Sequence, residues 1–279
     1  MSGKVASVEA WSGKDRADEN FPVGSLLIRA DLRAHVHAFY AFARNADDIA
    51  DSPLLSPDEK LARLDVMEAV LLGQAKEGSP SATRLHRSLA ETGVSPRHAC
   101  ELLQAFRQDA TKRRYASWDE LYAYCRFSAM PVGRHVLDLH GEAPDTYPPS
   151  DALCTALQIL NHLQDCAQDL ARLDRCYLPE DLLAAHGASV DDLRRAQATK
   201  GLRAVFDALL DHVDSLNAQA VFLPKTTRSL RLRLETAVIV ELSQHLAARL
   251  RSEDPLAQRV KLRKSDVLAS AFGALRFLA

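Results

Sequence analysis

Residues Asp151–Leu170 read DALCTALQILNHLQDCAQDL, and their period decides the fold. At about 100° per residue with Gln158 set to 0°, Cys154, Asn161, Asp165 and Asp169 fall within about 60° of it. On the same projection Ala156, Leu160, Leu163, Ala167 and Leu170 gather at about 120–200°. One face therefore holds short acids and amides, and the other holds only Ala and Leu. An ordinary surface helix puts long charged side chains on its polar face. Here no Lys or Arg enters until Arg172.

A second helix of the same kind lies upstream, in DLRAHVHAFYAFARNADDIAD (Asp31–Asp51). With Asp47 at 0°, Val36, Tyr40, Arg44 and Asp51 lie within about 60°, whereas Ala38, Phe42 and Ile49 fall near 180–220°. Asp48 sits at the edge of the stripe. Asp47 and Asp51 are one turn apart, about 6 Å along the axis. Two like charges at that spacing oppose helix formation unless a cation offsets them. Carboxylates, amides and water are the ligands a hard divalent cation takes, with an anionic ligand completing the shell. Two such helices facing each other predict a site where several Mg²⁺ ions meet a diphosphate.

The rest of the chain agrees with a helical reading. Its 279 residues carry 35 Lys+Arg against 37 Asp+Glu, a net charge of −2. That balance excludes a general nucleic-acid binder. Hydrophobic residues make up 47% with only 6% aromatic, and Gly and Pro number 11 and 12, which excludes collagen-like and low-complexity classes. No apolar run approaches the roughly 18 residues a spanning helix needs. The N-terminus lacks an apolar signal core, so a cytoplasmic protein is expected. Five cysteines without a CxxC pair read as reduced thiols. Punctuation at Ser52–Pro57, Gly73–Ala82, Gly93–Pro96, Gly141–Ser150, Gly187–Ser189 and Leu223–Thr227 separates long helical segments. Ser56-Pro57-Asp58-Glu59 and Ser189-Val190-Asp191-Asp192 look like helix starts. A single all-α domain over 1–279 is expected, with residues 1–18 as a flexible N-terminal segment.

FYAFARNADDIAD (Phe39–Asp51), YCRFSAMPVG (Tyr124–Gly133) and QILNHLQDCAQDLARLDRCYLP (Gln158–Pro179) together resemble the signature motifs of the squalene/phytoene synthase family. The resemblance covers roughly residues 19–270. It implies the all-α isoprenoid synthase bundle with a central cavity, and it implies roles. Asp47, Asp51, Asp165 and Asp169 match Mg²⁺-binding positions. Tyr40 and Arg44 match diphosphate contacts. Gln158 and Asn161 match positions lining the reaction centre, and Tyr124 the tyrosine that handles a proton near the departing diphosphate. Ala129, Val132 and Gly133 match small residues of a prenyl-chain tunnel, and Arg175 and Tyr177 an Arg-x-Tyr after the second motif.

The departures choose the reaction. Gln164 stands before Asp165 where the family usually has Arg, and Gln168 where Glu is common. Glu19-Asn20-Phe21-Pro22-Val23 replaces the N-terminal Ser-Lys-Ser-Phe signature, leaving Phe21 as its substrate-contacting candidate. Met130-Pro131 replaces a Gly-containing pair, and no tyrosine stands near Val240. Two diphosphate-gripping cations are thus missing. This combination resembles the bacterial hopanoid-pathway subgroup that converts presqualene diphosphate and water to hydroxysqualene and diphosphate, with Mg²⁺ and without NADPH. Head-to-head condensation of two farnesyl or geranylgeranyl diphosphates is the alternative, and a non-catalytic scaffold on the same fold the remote one. The run Arg259–Lys264, basic at alternate positions, reads as a solvated stretch, a flap over the diphosphate or an anionic membrane contact. Ala269–Leu278 is apolar enough to pack on the bundle or on a bilayer. The lipid substrate leaves a peripheral membrane contact open, and oligomeric state is not legible.

Overall fold

A computed structural model describes residues 7–9 and 28–277, and among them there is no strand. The helices are α1 (Arg33–Asp51), α2 (Pro57–Leu71), α3 (Pro80–Thr92), α4 (Arg97–Thr111), α5 (Trp118–Ser128) and α6 (Met130–Leu139). They continue as α7 (Tyr147–Leu173), α8 (Glu180–Ala185), α9 (Lys200–Ala220), α10 (Leu223–Thr226), α11 (Leu230–Ser252) and α12 (Lys264–Ala274). The chain forms two compact units, Met1–Lys112 with Arg134–Gly141, and Arg113–Gly133 with Glu142–Ala279. Among the described residues no helix is long and apolar enough to cross a membrane.

In the first unit α1 packs on α3 and α4, and α2 packs on the same two helices. The core is the aliphatic stripe expected of α1, with Ala38, Phe42, Ala46 and Ile49 buried among Leu64 and Met67 of α2, Leu85 of α3 and Leu102 of α4. The punctuation residues act as the sequence predicts. Ser56 and Glu59 form a reciprocal capping box that starts α2, and Gly93 ends α3 at a left-handed φ of 72°. One expectation needs correction. Residues 7–9, inside the segment expected to be flexible, are held. Val8 N–H donates to the Gly78 carbonyl at 2.9 Å, and Glu9 Oε1 accepts from Ser79 Oγ at 2.7 Å and Ser81 N at 2.6 Å. The carboxylate satisfies the Ser81 amide left open at the start of α3, together with the Ser79 hydroxyl.

In the second unit α7 is the spine, 27 residues long, and packs along α9. The helix α11 lies on both, α12 lies on α11, and α5 lies on α7. Leu153, Ala156, Leu160 and Leu163 of α7 are buried, as are Val205, Leu209 and Val213 of α9 and Leu246 and Leu250 of α11. Glu142 accepts the Arg228 and Ser229 N–H groups, each at 2.8 Å, and so caps α11. Three boundaries differ from the sequence reading. The second acidic helix starts at Tyr147, before Asp151, because Pro148 and Pro149 occupy a first turn that needs no N–H. Ser189 and Asp192 form a capping box but open only a 3₁₀ turn, Val190–Arg194, because no apolar period follows. The Leu223–Thr227 punctuation contains the short α10.

Candidate active site

On α1, Tyr40, Arg44, Asp47 and Asp51 are half-buried along one stripe, as the projection predicts. Arg44 Nη1 lies 3.2 Å from Asp47 Oδ2, and Nη2 lies 2.8 Å from Asp48 Oδ1. Asp48 is therefore no edge residue. It is 5% exposed and takes up Arg44, the side chain expected to meet diphosphate. Asp109 of α4, also buried, adds negative charge near Asp47. Burial above all, then the Asp51 charge, push Asp47 up to about 8, and Arg44 offsets this only in part. Asp109 carried no sequence signal, since its burial follows from α4 packing on α1.

On α7, Cys154, Gln158, Asn161, Asp165 and Asp169 are each half-buried, whereas the Ala/Leu face is buried apart from the half-buried Ala167. His162 is the residue that sequence reasoning missed. It lies one turn from Gln158, at about 40° on the same projection, so the signal was present. The Gln158 amide nitrogen lies 3.2 Å from His162 Nε2. An amide nitrogen only donates, so Nε2 accepts and the ring proton sits on Nδ1. Burial, then the nearby Arg175 charge, push His162 down to about 3, which keeps it neutral.

His162 stacks on Tyr177 at 3.6 Å between ring centroids, and Tyr124 lies 5.7 Å from Tyr177. Tyr115 closes the cluster, 5.3 Å from Tyr124 and 5.5 Å from Tyr177. Backbone bonds bring these segments together. Cys176 N donates to the Arg113 carbonyl at 3.0 Å, and Glu180 N to the Tyr115 carbonyl at 2.9 Å. The turn that allows this is Asp174, at φ 52°, whose carboxylate Arg114 holds at 2.8 Å. Arg175 is buried beside it. Gln164 is buried, and its amide donates to the Val260 carbonyl at 2.7 Å.

The residues expected to line a tunnel divide. Ala129 is buried and Val132 exposed. Gly133 serves helix packing: a Cβ there would lie 2.6 Å from Cys154 Sγ and closer still to Ser150 Oγ. Phe21 lies outside the described residues. The five cysteines are free thiols, and burial pushes Cys125 up to about 12.

Each acidic pair by itself fits Mg²⁺. Asp47 and Asp51 lie one turn apart on α1, as Asp165 and Asp169 do on α7, and the raised Asp47 marks a place short of positive charge. Among the described residues no three His, Cys, Asp or Glu side chains converge into a closed cage. A pair that leaves coordination positions open suits an ion that keeps waters and takes phosphate oxygens.

The comparisons agree with the motifs. The family model for squalene/phytoene synthase matches residues 14–266. A hydroxysqualene synthase from Rhodopseudomonas palustris is 47% identical over 271 residues, covering 97% of this chain and 92% of that one. Another from Sinorhizobium fredii is 45% identical, covering 92% and 88%. The crystal structure of squalene synthase HpnC from Alicyclobacillus acidocaldarius superposes with a TM-score of 0.74 at 32% identity, covering 85% of this chain and 90% of that one. The chain belongs to the squalene/phytoene synthase family.

Proposed function

We propose that the enzyme converts presqualene diphosphate and water to hydroxysqualene and diphosphate. The likeness to proteins named hydroxysqualene synthase over nearly the whole chain supports this reading. Gln164 carries the choice of reaction. Where the family usually has an arginine, this chain has a neutral amide spent on the Val260 carbonyl. That loss weakens a site for two prenyl diphosphates and leaves one diphosphate to be handled.

The substrate's C–O bond breaks to diphosphate, and the cyclopropylcarbinyl cation rearranges before a water oxygen bonds to it. The water's proton passes to the departing diphosphate, so atoms and charge balance. Asp47 and Asp51, and Asp165 and Asp169, are the residues that would hold Mg²⁺, and the bound ion would supply positive charge for the diphosphate. Arg44 adds a fixed cation beside Asp47, and Tyr40 is the neighbouring contact on the stripe. Gln158, with its amide N–H spent on His162, offers its oxygen to orient a water. Asn161 and Tyr124 are the other candidates for placing that water. His162, held neutral and weakly basic, orients Gln158 and Tyr177 and carries no proton. Ala129 and Val132 contact the prenyl chains, Arg175 and Tyr177 border the same end of α7, and no step calls for NADPH.

Product analysis tests the reading. Purified protein with Mg²⁺ is given farnesyl diphosphate alone, then presqualene diphosphate, each with and without NADPH. Hydroxysqualene from presqualene diphosphate, unchanged by NADPH, is the expected result. Consumption of farnesyl diphosphate alone overturns it in favour of condensation, and no turnover of any prenyl diphosphate overturns it in favour of a scaffold.

A further inference from the structure

We propose that the outward face of α12 docks the protein onto an anionic lipid bilayer. This helix is two-sided in an unusual sense. Its inward side holds Ser270 and Ala274, both buried, and Gly273, where a Cβ would come within 3.2 Å of the Glu241 carboxyl carbon. Its outward side carries Val267, Leu268 and Phe272, exposed by 48, 62 and 73%. Exposed Ala271 lies on the same side, so the helix presents an apolar stripe to solvent where polar residues are the rule. The helix is fixed in this pose by Arg249, which grips both oxygens of Asp266 at 2.7 and 3.0 Å.

The charge around the stripe says what covers it. Residues 259–279 contain five cations and one acid. Val260 is buried and the alternation turns Arg259 and Lys261 outward; these and exposed Lys264 form no ion pair among the described residues. Beyond the helix, Arg276, Lys225 and Arg233 line a cavity of about 570 Å³ with Val221, Pro224 and Phe277. Phe222 and Leu230 stand exposed beside it. The acids of the region are already neutralised: Asp266 by Arg249, Glu253 by Arg249 and Arg263 together, and Glu241 by Arg276. An apolar stripe with unpaired cations before it and a cationic cavity after it matches the boundary of an anionic bilayer, acyl chains between phosphates. A second copy of the chain fits less well, because a two-fold pairing of this face would set cations near cations.

Vesicle co-sedimentation of the full chain tests this, using phosphatidylcholine alone and phosphatidylcholine with about one-third phosphatidylglycerol. Binding to the anionic vesicles alone is expected, weakening severalfold as salt rises from about 0.1 to about 0.5 M. The Leu268→Asp/Phe272→Asp variant should lose at least about tenfold in affinity. Lys261→Glu/Lys264→Glu, both at exposed positions and checked for a wild-type Tm, should lose binding to the anionic vesicles. Equal binding to both vesicles, binding to neither, or undiminished binding by the lysine variant overturns the proposal. So does a dimer in size-exclusion chromatography that Leu268→Asp/Phe272→Asp dissolves, since that assigns the stripe to a second copy.

Discussion

Gly133→Ala tests the close approach of Gly133 to Ser150 and Cys154 of α7 directly. A methyl group placed there meets Cys154 Sγ at 2.6 Å and Ser150 Oγ at less, both far inside ordinary contact, while the Ser150 Cβ stays at 3.8 Å. Ser150 and Cys154 must rotate away or the backbone at Gly133 must shift, and overpacking of this kind costs about 1–3 kcal/mol. For a chain of this size each kcal/mol lowers Tm by roughly 2–4 °C, so a fall of about 2–12 °C is expected in thermal unfolding. The cause predicts its own cure. In a Ser150→Ala/Cys154→Ala background both clashing atoms are gone, and Gly133→Ala should then cost less than about 0.5 kcal/mol, a coupling visible in a double-mutant cycle. A wild-type Tm for Gly133→Ala alone, or the same loss in both backgrounds, refutes the packing account and returns Gly133 to the role of making room for a prenyl chain.

Other consequences are cheaper to check. Asp47→Asn removes an acid that is protonated in preference in the folded state, its folded value lying above the unfolded one. Its ionisation costs stability as pH rises from about 4 towards 8, so without metal the variant should melt higher than wild type near pH 8 and show no Mg²⁺-dependent rise in Tm or turnover. His135 is buried against Phe39 at 3.8 Å, and burial, with His98 and His35 nearby, pushes it down to about 3. Its neutral form stabilises the fold fully above pH 6.5 and less as pH falls towards 3, by up to about 1.4 kcal/mol per pH unit. Urea midpoints at pH 7 and 5 should differ less in His135→Phe than in wild type. Asp266→Asn breaks the pair that holds α12 and should expose residues after 260 to limited proteolysis while leaving the overall Tm within a few degrees.

The division between what was and was not legible in the sequence follows physical lines. Helix faces were legible, because a 3.6-residue period states which side chains share a side. The polar stripes of α1 and α7 therefore came out in the right residues, and the capping box at Ser56 marked the α2 boundary. What the sequence left dark depends on partners distant along the chain. Asp109 matters only because α4 packs on α1. Gly133 was read as a tunnel residue, and its close approach to Ser150 and Cys154 is a contact the sequence did not show. Gln164 looked like a lost arginine, and its contact with the Val260 carbonyl lies 96 positions away. His162 is the exception: its period was correct, but histidine on a stripe of acids and amides did not stand out.

These features share a logic of charge. The first unit sets Asp48, Asp51 and Asp109 near Asp47, whose charge Arg44 offsets only in part, so ionising Asp47 opposes folding. In the second unit Gln158 and Asn161 on the α7 stripe, and the neighbouring His162 and tyrosines, are neutral, and the charged members of that face, Asp165 and Asp169 among them, lie beside these. A carbocation is captured by whatever nucleophile lies nearest, so neutral side chains around its path make water the competent one. Charge is then confined to where a diphosphate must be released. Replacing neutral Gln158 or Asn161 with an acid should therefore disturb product identity more than stability, a split that distinguishes a reaction surface from a packing one.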